Sequence, residues 1–521
     1  MKGFLTTLIT FLAIAADAQH NPAVPRLVVG ITVDQLRQDY MELFAPLYGE
    51  KGFRRLWREG RYYTNADYEF YNPDYASSIA SLFTGTVPMI HGIVGRDWLD
   101  PATLLKRNCV DDNDFMGNYT SQSSSASLLQ ATTVGDELKV FFSGKSLVYS
   151  VAPEREEAIM AAGHAADGAF WLNEDNGMWC GTTYYGTFPF FISKYNLQEG
   201  IESRKDSLTW TPLRPVTDYT LLPTTVTPYP FEYSLSSDVW RYRRLKTTPL
   251  INQEINRLLL KAFGQSDLGK DQIPDLLSVT YYAGPYDAQS FAEIPTEMQD
   301  TYVRLDRVLG ELLDWIDNRV GLQNALVFLT STGYNVPERS MPVYYNFPTG
   351  EFHLERCKAL LNMYLMAIYG QGQWVEAYDG LQFYLNHKLI EDNNLTLAEV
   401  QKKSAEFLIE MSGVREVYTS TALLQAAWVP DMQRLRNSYH RERSGDLWIE
   451  VMPGWTVVDA TNPGNNYIVR SAIVPQPLIF IGASLEPERI EGRVTMDCVA
   501  PTVSKCIRIR APNACSSAPL F

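Results

Sequence analysis

The run Leu27-Val28-Val29-Gly30-Ile31-Thr32-Val33 constrains this chain more than any other stretch. It is apolar and β-branched without interruption, so both faces of the strand it forms need cover, and a sheet sandwiched between helices supplies it. The run ends at Asp34, a carboxylate at the C-terminal edge of a strand, where open α/β sheets bind ligands. Leu276 to Tyr281 and Ala325 to Thr330 repeat the pattern. Between them Met298, Tyr302, Leu305, Leu309, Leu312 and Ile316 recur at steps of four and three, the period of an amphipathic helix. Thr296 and Gln299 behind Pro295 read as a capping box at its start, and Gly321 closes it. Strand, helix, strand predicts an α/β fold, a largely parallel sheet with helices on both faces.

Residues 1–18 carry Lys2, an apolar stretch from Phe4 to Ala16 and the small-x-small site Ala16-Asp17-Ala18, which together read as a signal peptide. The mature protein is therefore expected in the periplasm or secreted, and no later apolar run is long enough for a transmembrane segment. With 45 Lys and Arg against 60 Asp and Glu, the net charge of −15 argues against a nucleic-acid partner. The six cysteines are Cys109, Cys180, Cys357, Cys498, Cys506 and Cys515. In an oxidising compartment the crowding of the last three predicts at least one local disulfide. Stretches near 172–250, dense in Thr, Pro and Tyr, and near 335–455, rich in Tyr and Asn, break the strand-helix rhythm. They read as inserted cap segments in one domain spanning 19–521.

Further segments join the first strand in a recognisable set. They are Ala80-Ser81-Leu82-Phe83-Thr84-Gly85-Thr86, Pro88, His91-Gly92-Ile93, Ala162-Gly163-His164 and Gly168-Ala169-Phe170-Trp171. Asp300-Thr301-Tyr302 with Arg304-Leu305-Asp306, Arg443-Ser444-Gly445-Asp446, Pro477-Leu478-Ile479-Phe480 and Ala500-Pro501-Thr502 continue it. This set resembles the alkaline phosphatase superfamily, in particular the exported monoesterases similar to phosphate-irrepressible alkaline phosphatase and the related type I phosphodiesterases and nucleotide pyrophosphatases. The resemblance implies an alkaline-phosphatase-like core and phosphoric ester hydrolysis at two zinc ions. Those ions are held by an Asp after the first strand, an Asp-x-x-x-His pair, an Asp-His pair and a final His, around a Ser or Thr nucleophile.

Under that resemblance, Asp34 is the one metal-ligand position retained. The nucleophile position falls on Tyr75, and Ser77 or Ser78 would serve only with a remodelled turn. The Asp-x-x-x-His pair falls on Pro285 and Gln289, and the Asp-His pair on Thr332 and Gly333. No His lies between Val458 and Pro475, where the final ligand belongs. The two phosphate-holding cations fall on Glu154 and Glu156, around Arg155, and the phosphate-holding Asn falls on Arg96. The expectation is thus a pseudoenzyme with no catalytic residue and no cofactor, an exported binding or assembly component of the cell envelope. Its ligand-binding residues would be Arg96 and Arg155, and its partner an envelope protein or a glycan. The aromatic stretches Trp179 to Phe191 and Tyr281 to Tyr286 would form contact surface or, equally, cap core. Asp34 would then cap the helix starting near Gln35 or join a salt bridge. The alternative is a zinc-dependent phosphatase or phosphodiesterase with a rearranged site that uses Asp34, Asp74, Ser77 or Ser78, and Asp287.

Overall fold

The computed structural model describes residues 24–222, 226–289, 294–334, 349–425, 430–470 and 474–521, and the signal segment and His20 lie outside them. Eight strands form the central sheet: β1 Leu27–Asp34, β2 Arg61–Asp67, β3 Val148–Ala152, β4 Gly168–Leu172, β5 Trp179–Thr182, β6 Asp275–Tyr282, β7 Ala325–Ser331 and β8 Gln476–Gly482. In space they run β2-β8-β7-β1-β6-β3-β4-β5, and short strands extend the edges. The five from β7 to β4 are parallel. The outer strands β8 and β5 are antiparallel to their neighbours. Six helices matter for the site: α1 Gln38–Leu43, α2 Tyr75–Thr84, α3 Arg155–Ala162, α4 Arg241–Leu245, α5 Leu250–Lys261 and α6 Pro295–Val320. No helix among the described residues is long and apolar enough to cross a membrane.

Strand β1 is buried along its whole length, as its apolar run requires, and its side chains alternate between two cores. Leu27, Val29, Ile31 and Val33 pack with Ile255 of α5 and Leu309 of α6. Val28 packs on the opposite face with Ile79 and Phe83 of α2 and Ile159 of α3. Gly30 lies on that second face, where a Cβ would stand 2.6 Å from Phe328 Cζ and 3.2 Å from Phe83 Cζ. A bare backbone there lets two phenyl rings close on the strand. The same alternation directs Thr32 and Asp34 toward the face that α2 and α3 cover. The Thr32 hydroxyl pairs with that of Thr280 on β6 at 2.8 Å.

Three expectations need correction. Helix α6 begins at Pro295 with no side-chain cap, so Thr296 and Gln299 do not form a capping box. Proline, with helical φ and no N–H to satisfy, takes the first helical position, which puts Thr296 inside the helix rather than at its N-cap. The freed side chains instead hold Tyr219, Leu221 and Tyr229: Gln299 accepts from Leu221 N at 2.9 Å and donates to Tyr219 O at 3.0 Å, and Thr296 Oγ1 accepts from Tyr229 N at 3.4 Å. Nearby Asp300, fully buried, accepts 2.6 Å bonds from Trp210 Nε1, Leu213 N and the Tyr219 hydroxyl. Asp34 does not cap a helix: α1 starts at Gln38, after Gln35 has turned through φ 62°. Finally, all six cysteines are free thiols. Crowding in sequence does not align the sulfurs, because Cys498 is buried in the core beside α2, Cys506 ends the helix Val499–Cys506, and Cys515 lies against Gly85.

The segment from 172 opens inside the central sheet, since Trp171 and Leu172 pair with Cys180 and Trp179 across the β4–β5 hairpin. Further along the chain, Val375–Asp379, Gln382–Leu385, Leu447–Val451 and Val414–Thr419 make a separate four-stranded sheet. Its own apolar core includes Leu361, Trp374, Phe383 and Ile449.

Candidate active site

The parallel register places Asp34 beside Tyr282 at the end of β6 and next to Thr332, one residue beyond β7. Thr332 Oγ1 donates to Asp34 Oδ1 at 2.6 Å and Gln35 Nε2 donates to the same oxygen at 3.2 Å. Burial, against these bonds and with the charge of Asp74 adding to it, pushes the Asp34 carboxyl up to about 6. A hydroxyl thus occupies the position where the family resemblance puts a second metal ligand, and it is spent on the first.

The loop after β6 turns away from a ligand role. Pro285 is buried and its carbonyl accepts from the Tyr282 hydroxyl at 2.8 Å. Tyr286 then packs against Tyr233 and Trp210, with ring centroids 4.6 and 5.9 Å apart. Asp287 is exposed in a left-handed conformation, 3.9 Å from Arg244, and Gln289 is exposed. At the strand's end Asn252 of α5 grips Tyr282 twice, donating to its carbonyl at 2.7 Å and accepting from its N–H at 2.8 Å.

The start of α2 faces Asp34 from across the site. Asp74 is its N-cap: Oδ1 accepts from Ser77 N at 2.8 Å and Ser77 Oγ at 2.7 Å, and Oδ2 accepts from Arg96 N at 2.5 Å. Ser77 and Ser78 are fully buried, and Ser77 is used by the cap. Tyr75 occupies the first position of α2 and keeps partial exposure. Burial and the charges of Glu156 and Glu154 push its phenol well above the ordinary value, while Arg96 pulls the other way. Of Tyr75, Ser77 and Ser78, Tyr75 alone is not fully buried.

The start of α3 closes the third side with charge pairs. Lys246, just beyond α4, is buried and its Nζ lies 2.8 Å from Glu154 Oε2. Glu156 accepts from Asn108 Nδ2 at 2.7 Å, and Arg96 Nε and Arg155 Nη2 stand 3.5 and 3.6 Å from its Oε1. Arg155 is also tied to Asp111 at 2.8 Å and to Ser124 Oγ at 3.2 Å. Glu157 accepts from Glu154 N at 3.0 Å. Burial, then the charges of Asp34 and Glu154, push Glu157 well above the carboxylate range. Sequence reasoning missed Lys246 and Glu157. Lys246 comes from the region taken as a cap, and the only signal was three arginines, Arg241, Arg243 and Arg244, just before it.

This donor set does not fit the zinc pair that the resemblance implies. The side chains bonded to Asp34 are a hydroxyl and an amide, Pro285 has no side-chain donor, and among the described residues no three His, Cys, Asp or Glu converge to hold a metal ion. The histidines serve elsewhere. His91 Nε2 pairs with Ser81 Oγ at 2.9 Å, His164 bridges Asp136 at 3.0 Å and Leu129 O at 2.9 Å, and His387 meets Asp446 at 2.8 Å.

Comparison with known proteins shows what this framework is shared with. The model of the family described as type I phosphodiesterase / nucleotide pyrophosphatase matches residues 28–472. The chain is 30% identical to alkaline phosphatase PafA of Elizabethkingia meningoseptica, over 96% of this chain and 95% of that one. It is 27% identical to alkaline phosphatase PhoV of Synechococcus elongatus, over 94% and 91%. The crystal structure of wild-type alkaline phosphatase PafA superposes with a TM-score of 0.83 at 28% identity, covering 95% of this chain and 98% of that one. These likenesses overturn the expectation of a non-catalytic binding or assembly component. Relatives that match this chain over nearly its full length carry the name of a phosphatase.

Proposed function

The chain belongs to the type I phosphodiesterase / nucleotide pyrophosphatase family, and from that premise we propose that it is an exported phosphoric ester hydrolase whose reaction runs on its own side chains. The carrying observation is Glu157, within electrostatic reach of both Asp34 and Tyr75 at the C-terminal edge of the sheet, in a chain that superposes almost end to end on a phosphatase. Tyr75 Oη forms a bond to phosphorus as the bond from phosphorus to the leaving oxygen breaks. The phenolic proton passes to a carboxylate and on to the departing alkoxide. A water molecule then attacks phosphorus, the Tyr75–phosphorus bond breaks, phosphate leaves, and the phenol regains its proton. A phenol held well above its usual range attacks only with a base beside it. Asp34, pushed up to about 6, is suited to taking and returning that proton near neutral pH, and Glu157 is a second carboxyl raised by burial. The N-terminus of α2 and the Arg96 guanidinium favour the negative charge that builds up on the phosphoryl oxygens.

The test is turnover of para-nitrophenyl phosphate and of bis-para-nitrophenyl phosphate by purified protein, with and without a chelator. Hydrolysis that survives chelation and falls at least about 100-fold in both Tyr75→Phe and Asp34→Ala supports the proposal. No turnover of either ester, with or without added zinc, removes it. Turnover lost to the chelator and restored by zinc retains the hydrolase but overturns the metal-free chemistry.

A further inference from the structure

The family resemblance places two phosphate-holding cations where this chain has Glu154 and Glu156, and the structure brings two cations back from other elements. Lys246 arrives from beyond α4 and Arg96 from the loop that follows α2, each against one of the two glutamates, 2.8 Å and 3.5 Å away. The members of the Lys246–Glu154 pair differ in freedom. The Lys246 side chain is 7% exposed and that of Glu154 is 34% exposed, so the cation is fixed and the carboxylate borders solvent. A lysine is rarely buried without a resident anion, because the desolvated ammonium needs one. Glu154 supplies that charge from the N-cap of α3, where its side chain also shares a capping box with Glu157. Arg96 is 53% exposed and lies in the field of Tyr75, Glu156 and Glu154 together, and Glu154, the partner of Lys246, acts on the same Tyr75 hydroxyl.

We propose that Lys246 and Arg96 are the phosphate-holding pair of this site, and that Glu154 is a resident anion which a substrate phosphoryl group displaces from Lys246. This rests on the hydrolase reading for its biological sense, but it concerns binding of a phosphate dianion and is measured separately. An incoming phosphoryl group exchanges one charge-assisted hydrogen bond on Nζ for another, so the ammonium is never left bare. Glu154 moves into water, where its charge is solvated, and gives up its place in the capping box of α3. Arg155, tied to Asp111 and Ser124, is left out of the pair.

The experiment is calorimetric titration of the full chain with inorganic phosphate, alongside phosphate inhibition of ester turnover. Lys246→Met is expected to weaken phosphate binding at least about tenfold, and Glu154→Gln to tighten it severalfold by removing the competitor. Because Lys246→Met strands a carboxylate, the double variant Lys246→Met/Glu154→Gln is the control. It is expected to restore the melting temperature and leave phosphate affinity weak. Phosphate bound equally well by wild type and the double variant overturns the proposal, since Lys246 is then only a structural partner of Glu154. Failure of the wild type to bind phosphate also overturns it. Phosphate binding that depends on Lys246 in a protein without turnover upholds this pair and removes the hydrolase reading instead.

Discussion

The central sheet carries a buried carboxylate at each end, Asp275 where β6 begins and Asp34 where β1 finishes, and burial pushes both up to about 6. Their partners differ. Asp275 accepts from two backbone amides, Leu147 N at 2.7 Å and Gly269 N at 2.6 Å. Asp34 accepts from the side chains of Thr332 and Gln35, and beyond these only from the backbone amide of its own neighbour, Gln35. A backbone amide cannot turn away without local unfolding, whereas a hydroxyl or an amide side chain rotates in place. The same perturbed acidity therefore marks a structural tie at one edge and an adaptable group at the other. A shifted acidity points to function only together with the kind of partner that surrounds it.

The largest effect that separates the two edges is on stability. Asp275→Ala orphans two buried amides and is expected to cost about 2–4 kcal/mol in urea unfolding, with turnover per folded molecule unchanged. Asp34→Ala, whose partners can reorient, is expected to cost less than half of that at neutral pH. Equal costs would erase the distinction. The second effect is pH dependence. A carboxyl raised in the fold keeps its proton up to about pH 6 while the unfolded chain loses it near 3.8, so stability falls as pH rises through that window and levels off above it. Each group accounts for up to about 3 kcal/mol of the fall, and Asp275→Asn or Asp34→Asn should each flatten it. An unchanged slope between pH 4 and 7 in both variants would show that neither group holds its proton. Third, Gly30→Ala is expected to lose about 2 kcal/mol, because Phe328 and Phe83 must retreat from the new methyl. A cost near zero would mean that the packing beneath Asp34 is loose. The smallest effect is that of Ser77→Ala, about 1 kcal/mol from the cap of α2. Complete loss of turnover in that variant would hand the nucleophile's role from Tyr75 to Ser77.

The sheet was legible because burial on both faces leaves a plain signature. The runs beginning at Leu27, Leu276 and Ala325 are strands within a residue or two of where the apolar pattern puts them. Helix α6 was legible from its stripe, but its start was misread, since a Thr and a Gln with capping spacing look alike whether they hold a helix end or a neighbouring strap. Near the site the pattern carried as far as Asp34, which ends β1 where the apolar run stops. Lys246 escaped because its partner Glu154 is 92 positions away, and a charge pair at that separation leaves no periodic trace. The functional inference failed for a related reason. Counting missing ligands along the chain treats a site as a list of positions, whereas the folded chain draws cations from other elements to the same place.

Lys246 and Asn252 lie on one short stretch, the first holding a charge over the site and the second gripping the end of β6 through both backbone groups of Tyr282. That stretch works as a caliper, with one jaw clamped to the strand and the other set by the residues between. A one-residue insertion or deletion there would shift the cation relative to the Tyr75 hydroxyl while every side chain of the site stayed in place. Reach could then be retuned for bulkier or smaller esters by indels in a tether, a cheaper path for divergence than replacing the chemistry itself.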